Sequence, residues 1–332
     1  MDAGNTPLAW AACGGHEEVV EILLGRDDIF PSKRNREGRT PLWCAAQNGY
    51  EGVVKMLLGR DDVDPDKPDR RGQTPLWCAA RNGHEGTVKI LLGREEVNPN
   101  KASRHGLTPL WCAAKNGYAG VAEILLGRID INPNKPCGEG RTPLWYAAQA
   151  GHEGVAGVLL RRCDVDPNKA DNRGQTPLCC AAWNGNDGIV KILLRRGDID
   201  PDKPSDDGRT PLWCATQGGY EGMVRMLLGR SDVNPNIADS RGQTPLCCAA
   251  WSGNKRIVKM LLRRGDINPD KPSDDGRTPL WYAARGGYEG VVKILLERSD
   301  VNPKKSDNRG ITPLWCAASH GHGRVVAVLR AR

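Results

Sequence analysis

Residues 38–71 read GRTPLWCAAQNGYEGVVKMLLGRDDVDPDKPDRR, and this stretch predicts two short helices followed by an extended loop. Thr40 is a predicted N-cap, and Pro41 falls at the first helical position, where its missing N–H breaks no helical bond. Gly49 can end the first helix in the left-handed conformation. The apolar stripe of a second helix follows at Val53, Val54, Leu57 and Leu58. The Asp and Pro residues of the loop after it specify turns and cannot continue a helix.

The same pattern recurs along the whole chain at a fixed period. Thr-Pro-Leu begins at positions 6, 40, 74, 108, 142, 176, 210, 244, 278 and 312, always 34 residues apart. A single unit of this kind cannot cover its own apolar face, so stacked units must share a continuous core. The sequence therefore predicts an all-α solenoid of ten helix-turn-helix units with extended loops or β-turn fingers, forming a single array over residues 1–332.

The last unit is predicted to be a C-terminal cap. The nine earlier units end their second helix on Leu-Leu, whereas Leu329 is followed by Arg330. A charged side chain on the outward face suits a unit that has no apolar neighbour, so we expect the array to end there. The start of the array shows no such clear signal, although Glu17, Glu18 and Glu21 make its first long helix acidic.

Composition restricts the possible locations and partners. No apolar run approaches the ~18 residues of a membrane span, and the N-terminus lacks the basic and apolar segments of a signal peptide. We therefore expect a cytoplasmic or nuclear protein that makes no membrane contact. The net charge is +7, but the loop at 61–73 is acidic and the basic excess lies on the helices without an arginine-rich cluster. Nucleic acid is therefore not an expected partner.

The cysteines are predicted to be structural. Seven of the twelve occupy one repeat position: Cys44, Cys78, Cys112, Cys180, Cys214, Cys248 and Cys316. Equivalent positions of stacked helices lie ~8–10 Å apart, beyond the Cα separation of ~7 Å that a disulfide tolerates. The spacings also fit no zinc site. We therefore expect small buried apolar side chains in a reducing compartment.

One unit shows the resemblance of the chain to a known family. Residues 73–92, QTPLWCAARNGHEGTVKILL, resemble the ankyrin repeat, and the likeness covers the whole chain. The period departs from the usual 33 residues, and the residue after Thr-Pro-Leu, usually His, is Trp in seven copies, Cys in two and Ala in one. The copies are nearly identical, as in the ankyrin arrays of filamentous fungi, and residues 174–206 closely match 242–274. The resemblance implies a protein-protein interaction module or scaffold.

Differences among the ten copies indicate which positions face a partner. In ankyrin repeats the matching positions line a concave surface that contacts another protein, so the resemblance implies that role here; the alternative is that exposed positions drift freely. The predicted partner-binding residues on the first helices are Gln47, Arg81, Lys115, Trp183, Gln217, Trp251 and Arg285. Those on the loop tips are Arg36, Arg70, Arg71, Arg104, His105, Asp206, Asp207, Asp274 and Asp275.

Tryptophan occurs once in every unit. Seven of the ten follow Thr-Pro-Leu: Trp43, Trp77, Trp111, Trp145, Trp213, Trp281 and Trp315. We expect these rings to seal the seams between units, with the indole N–H donating in place of the usual His. Trp183 and Trp251 come four residues later, on the same helix face, and we expect them to be exposed and to contact a partner.

Motifs for catalysis or metal binding are not found. Asp198, Asp200 and Asp202 resemble the start of a calcium loop, but its glycine and distal glutamate are missing, so we interpret them as turn caps. The recurring histidines interchange with tyrosine and are therefore predicted to be structural. We expect no enzyme activity, no cofactor and no metal, and a monomer that binds another protein. Two alternatives are a regulatory or recognition segment of a larger fungal receptor-like or effector protein, and an engineered scaffold, which twelve cysteines disfavour.

Overall fold

The computed structural model describes residues 4–332, which divide into two compact units, one ending at Asn172 and one starting at Arg173. Met1, Asp2 and Ala3, part of the segment inspected for a signal peptide, lie outside the described residues. Each unit consists of five helix-turn-helix repeats, and residues 4–332 contain helices but no strand. The predicted all-α repeat fold with a period of about 34 residues is confirmed.

The first unit contains ten helices. They are α1 Pro7–Gly14, α2 Glu17–Leu24, α3 Pro41–Asn48, α4 Glu51–Leu58, α5 Pro75–Asn82, α6 Glu85–Leu92, α7 Pro109–Asn116, α8 Ala119–Leu126, α9 Pro143–Ala150 and α10 Glu153–Leu160. We call the odd-numbered helices first helices and the even-numbered ones second helices. Within the unit, successive first helices pack on one another, and so do successive second helices.

The second unit repeats this arrangement. Its helices are α11 Pro177–Asn184, α12 Asp187–Leu193, α13 Pro211–Gly218, α14 Glu221–Leu228, α15 Pro245–Trp251, α16 Lys255–Leu262, α17 Pro279–Arg285, α18 Glu289–Leu296, α19 Pro313–Ser319 and α20 Gly323–Arg330. We call the turn that precedes each Thr-Pro-Leu a finger; its two outermost residues form the finger tip.

Every first helix begins as its local sequence predicts, and seven of the ten also end at a left-handed glycine. Thr40 Oγ1 accepts a hydrogen bond of 3.1 Å from the Trp43 N–H, and Pro41 follows at the first helical position. Gly49 then ends α3 with φ of 78°, a left-handed conformation that side chains rarely adopt. The threonine cap recurs in all ten first helices of the described chain.

The core of each unit is built from the same few positions of every repeat. In the repeats between the first and the last, the leucine of Thr-Pro-Leu and the pair of small residues after it are buried, as are most apolar residues of the second helix. The seven cysteines at the shared position are buried too, and all twelve thiols are free. Burial raises the pKa of the Cys78 and Cys112 thiols, which keeps them protonated at neutral pH. The predicted structural role of these cysteines is confirmed.

A chain of side-chain bonds runs along the loops that follow the second helices. Asn100 Oδ1 accepts from the Asn132 N–H at 2.7 Å, and its Nδ2 donates to the Asp130 carbonyl at 2.7 Å. Asn134 and Asn236 also use both halves of their amide in this way. The Asn side chain therefore links each loop to the next.

Three repeats have Asp at this position and lose half of the link. Asp202 Oδ2 still accepts from the Asn234 N–H at 2.7 Å, but Oδ1 is buried without a hydrogen-bond partner. The same holds at Asp66 and Asp270. Burial raises the pKa of the Asp202 carboxyl above its ordinary value.

The change Asp202→Asn is expected to stabilise the second unit by about 0.5–1.5 kcal/mol. The amide N–H₂ can donate a hydrogen bond at the place where the carboxylate oxygen has no hydrogen-bond partner. Ile237 stands where Lys101 lies beside Asp66, so this variant gives up no lysine contact. Urea unfolding measures the gain, with Asn134→Asp as the reverse control, which should lose stability. A loss of stability in Asp202→Asn would contradict this account of the loop links.

The raised pKa of the Asp202 carboxyl predicts how the stability of the fold changes with pH. Because this pKa is higher in the folded state than in the unfolded state, protonation of the carboxyl stabilises the fold. The stabilisation is complete below the unfolded-state pKa of about 3.8 and is lost as the pH rises through the folded-state pKa. The stability difference between Asp202→Asn and the parent chain should therefore shrink as the pH falls toward 4. A difference that stays constant over this range would contradict the raised pKa.

The final repeat leaves part of its apolar surface open to solvent. Trp315 is 57% exposed and Leu314 is half-buried. No repeat follows within the described residues, so nothing covers this ring. The prediction that all seven rings after Thr-Pro-Leu seal seams is therefore wrong for Trp315.

Candidate interaction surface

The fingers of each unit are tied together by single backbone hydrogen bonds. The Arg70 N–H donates to the Glu37 carbonyl at 3.0 Å, and the Arg104 N–H donates to the Arg71 carbonyl at 2.9 Å. In the second unit the Ser240 N–H donates to the Asp207 carbonyl at 2.8 Å. These bonds hold the finger tips in register beside the first helices.

Buried tryptophans form a second series of links between repeats. Trp43 Nε1 donates to the Gln73 carbonyl at 3.0 Å, across the seam to the next repeat. Trp77, Trp213 and Trp281 make the same bond. Each acceptor is the residue just before the next Thr-Pro-Leu. The predicted sealing role, with the indole N–H as donor, is confirmed for these four rings.

The seam between α7 and α9 lacks both links. Trp111 Nε1 is buried with no partner, and no bond joins the Gly138 N–H to the His105 carbonyl. Tyr146 occupies the position held by cysteine in most repeats, and its ring meets Trp111 edge-on at 4.7 Å. Trp111 and Tyr146 fill the space that a tryptophan and a cysteine share in the two preceding seams, so the fingers separate around a cleft of about 750 Å³. The N–H bond predicted for Trp111 is therefore absent.

The other tyrosine at this position is accommodated. Tyr282 packs against the preceding repeat, which carries Cys247, not tryptophan, after Thr-Pro-Leu, so there is room for its ring. Its hydroxyl is 3.0 Å from Gln243 Nε2, and the finger bond of this seam, from the Asp274 N–H to the Arg241 carbonyl, is intact at 3.0 Å. The large ring of Tyr282 is thus compensated by the small Cys247 side chain in the preceding repeat.

The change Tyr146→Cys is expected to close the cleft and restore the two missing links. Hydrogen exchange of the Trp111 indole N–H should slow by roughly fivefold or more, since one hydrogen bond contributes about 1 kcal/mol. NMR exchange measurements, with the resonance assigned by loss in Trp111→Phe, follow this directly. Tyr282→Cys is the control and should not slow any indole, because its seam is already closed. An unchanged Trp111 rate would contradict the wedge role of Tyr146.

The second unit carries a groove along α11, α13, α15 and α17. Its volume is about 380 Å³, and Trp183 and Trp251 on its wall are 47% and 48% exposed. Cys179 and Cys247 fill the buried positions that tryptophan takes in other repeats. In these two repeats the indole lies one helical turn later in the sequence, on the same face of the first helix. The predicted exposure of these two rings is confirmed.

Arginine side chains stack on the groove tryptophans. The Arg209 guanidinium lies 5.6 Å from the ring centre of Trp183 and 4.8 Å from that of Trp213. Arg285 lies 5.2 Å from Trp251 and 5.7 Å from Trp281. Each cation is therefore held between two rings, which attract it through their electron-rich faces.

Two of the four arginines in the groove lack a carboxylate partner. Within residues 4–332 the guanidinium groups of Arg241 and Arg285 form no ion pair, whereas Arg277 pairs with Asp275 at 2.9 Å and Arg209 lies 3.7 Å from Asp207. Arg209 Nε is buried without an acceptor. Asp239 also lines the groove, but its Oδ1 caps two backbone N–H groups of its own finger. The groove floor therefore offers free N–H donors and an excess of positive charge.

The first unit has a smaller groove of the same type. It measures about 310 Å³ and brings together the predicted residues Arg71, Arg81, His105 and Lys115. Arg81 lies 5.4 Å from the Trp77 ring centre, and Lys115 lies 5.0 Å from that of Trp111. These cations stack on tryptophans that are themselves buried, so this groove presents no exposed indole.

The structure gathers only some of the predicted partner-binding residues. Trp183, Gln217, Trp251 and Arg285 line the groove of the second unit. The remaining ones lie outside both grooves: Gln47, Arg36, Arg70, Arg104, Asp206, Asp207, Asp274 and Asp275. Gln47 is half-buried on α3, and the others are exposed on finger tips.

Sequence comparison missed three arginines of the second-unit groove. Arg209 and Arg277 precede Thr-Pro-Leu, and Arg241 is at a finger tip. The regular exchange of Arg and Gln before Thr-Pro-Leu was a usable signal, since a position that alternates between repeats is not needed for the core.

Other candidate chemistry has a structural explanation. His84 Nε2 lies 3.0 Å from the Gln47 carbonyl of the preceding repeat, so this histidine has a structural role as a link between repeats. Asp200 Oδ1 accepts from the Asp202 N–H at 3.1 Å, which is the predicted turn cap. Within residues 4–332 there is no group of three potential metal-ligating side chains. No helix of that range has the length and hydrophobicity needed to cross a bilayer.

Comparison with known proteins agrees with the repeat architecture. A search of curated proteins returned no match to this chain. The family model that describes three copies of the ankyrin repeat matches residues 1–69, 61–137, 129–205, 197–271 and 265–332. These matches cover the chain from end to end, and the chain therefore belongs to the ankyrin repeat family.

Proposed function

We propose that this protein is an interaction module that binds a partner protein along its first helices and finger tips, the surface that is concave in ankyrin arrays. The observation that carries the proposal is the pair of half-exposed indoles, Trp183 and Trp251, in a groove lined by arginine. Exposing such rings to water opposes the hydrophobic effect, which makes them natural contact points. Tryptophan and arginine are also the residues most enriched among energetically dominant interface contacts.

A binding role explains the groove better than a catalytic one. Its open polar groups are mainly guanidinium and amide groups, which bind and orient ligands but do not exchange protons near neutral pH, while the Asp239 carboxylate caps its own finger. Within the described residues the side chains of Gln217, Arg241 and Arg285 form no hydrogen bond or ion pair, so their donors are open to a ligand. We accordingly propose recognition without chemical turnover.

We further propose that the protein works as a monomer in the cytoplasm or nucleus. Twelve free thiols, most of them buried in the repeat core, suit a reducing compartment. The near identity of the repeats is similar to that of ankyrin arrays in filamentous fungi, and we propose such an array as the closest functional parallel.

Affinity capture with matched variants tests the binding surface. The parent chain, a Trp183→Ala, Trp251→Ala double variant and an Ile129→Ala control are each used as bait in extracts. Ile129 is 96% exposed on a loop away from both grooves, so it controls for loss of an exposed apolar side chain. We expect a protein retained by the parent and the control but lost by the double variant. Equal recovery by all three baits would refute the proposed surface.

A further inference from the structure

The groove of the second unit has a charge and shape that select among protein partners. Resting on the proposed binding function, we infer that it takes an extended acidic peptide segment with two large apolar or aromatic side chains about six residues apart. The carboxylates would pair with the groove arginines, and the two apolar side chains would pack on Trp183 and Trp251.

The charge requirement comes from the unpaired arginines. Within residues 4–332 neither Arg241 nor Arg285 forms an ion pair. A guanidinium held against indole rings has its position fixed, while its N–H edge stays available for a carboxylate. Between Arg173 and Arg332, lysine and arginine outnumber aspartate and glutamate 25 to 17. A cationic segment would meet repulsion here, and a neutral one would leave the arginines unsatisfied.

The apolar requirement comes from the two exposed rings. Each indole is covered on one side by an arginine, and about half of its area is open to solvent. Trp251 is also packed edge-on against Tyr282 at 5.7 Å. An aromatic or large aliphatic side chain is the natural partner for such a pre-positioned surface.

The spacing of the anchors follows from the repeat. Trp183 and Trp251 are two repeats apart, and stacked helices are ~8–10 Å apart, which separates the rings by roughly 20 Å. An extended chain advances ~3.3 Å per residue, so six residues cover this distance. The same face of an extended chain recurs every second residue, so anchors an even number of residues apart both reach the groove.

The finger tips favour a peptide over a nucleic acid. Asp206, Asp207, Asp274 and Asp275 form an acidic rim above the basic floor. A single nucleic-acid strand carries a phosphate at every nucleotide and would meet the carboxylates of the two acidic finger tips. A peptide can place carboxylates on the floor and leave other residues at the rim.

Selection from a random peptide display library tests this inference on the full chain. The selected sequences are compared with the input library, and the best is synthesised together with a version in which Glu and Asp are replaced by Gln and Asn. Binding of both is measured to the parent chain, to Arg285→Gln and to the Trp183→Ala, Trp251→Ala double variant. Circular dichroism confirms that each variant is folded. A 15-nucleotide oligothymidylate serves as the competing polyanion.

We expect enrichment of Asp, Glu and aromatic residues, with the two apolar anchors about six residues apart, as the estimated ring separation requires. Arg285→Gln should weaken the acidic peptide about tenfold and leave the amide version unchanged, since a charge-assisted bond is lost only in the first case. Raising the salt concentration from 0.1 to 1 M should weaken only the acidic peptide, because the Debye length falls from about 10 to 3 Å.

Two other outcomes distinguish a failure of the acidic-peptide inference from a failure of the proposed binding function. Peptides that need Trp183 and Trp251 but show no acidic enrichment would overturn the inference and leave the binding function standing. Selection that yields no groove-dependent peptide would overturn both. Displacement of the peptide by oligothymidylate at equal concentration would identify nucleic acid as the ligand and overturn the peptide assignment.

Discussion

Replacing Trp213 by alanine is expected to destabilise the second unit by about 3–5 kcal/mol, the usual cost of removing a large buried aromatic side chain. Trp213 is only 4% exposed, and its Nε1 donates to the Gln243 carbonyl at 3.1 Å across the seam. The variant therefore loses ring packing, leaves a carbonyl without its donor and removes one of the two rings that hold Arg209. In a repeat array the loss acts on an interface between neighbours, so the whole unit should unfold earlier.

Chemical unfolding followed by circular dichroism measures this effect. Trp183→Ala is the matched control, because it removes the same side chain from a half-exposed position in the preceding repeat. The control should cost less than about 1 kcal/mol, as surface substitutions usually do. Equal destabilisation by the two changes would show that Trp183 is a core residue, contrary to the described groove.

The second large effect is on binding. With the captured partner in hand, Trp183→Ala and Trp251→Ala are each expected to weaken affinity by about 2 kcal/mol or more, which is roughly thirtyfold. The reason is that each ring offers apolar area already fixed by a stacked arginine, so little conformational freedom is lost on binding. Calorimetric titration of purified proteins gives the two losses.

Controls for the binding loss come from the chain itself. Ile129→Ala should leave affinity unchanged, since that side chain lies away from the grooves. The double variant should lose no more than the sum of the single changes, since residues that engage one ligand often act together. A partner that binds the double variant with parent affinity would contradict the role assigned to the two indoles.

Local features of the fold were predictable because each depends on a few neighbouring residues. Thr-Pro fixes the start of each first helix, and a glycine after the alanine pair fixes its end. The displacement of Trp183 and Trp251 by one helical turn was enough to predict their exposure. Because these local features recur in every repeat, they were enough to predict the repeat architecture.

Features that depend on pairs of repeats were not predictable in the same way. Tyr146 opens a seam because Trp111 faces it, whereas Tyr282 fits because Cys247 does. The orphan oxygen of Asp202 is likewise visible only once the neighbouring loop is placed. The place of Arg209 between two indoles is also visible only once the repeats are stacked. Each of these features depends on how neighbouring repeats stack on one another, which the sequence of a single repeat does not specify.

Hydrogen exchange of the chain with and without its captured partner tests the central claim most directly. The account predicts slower exchange on binding in the first helices α11, α13, α15 and α17 and in the fingers beside them, with α12, α14, α16 and α18 unchanged. Slower exchange confined to the second helices, with the groove unaffected, would contradict the assignment of the first-helix surface as the binding site.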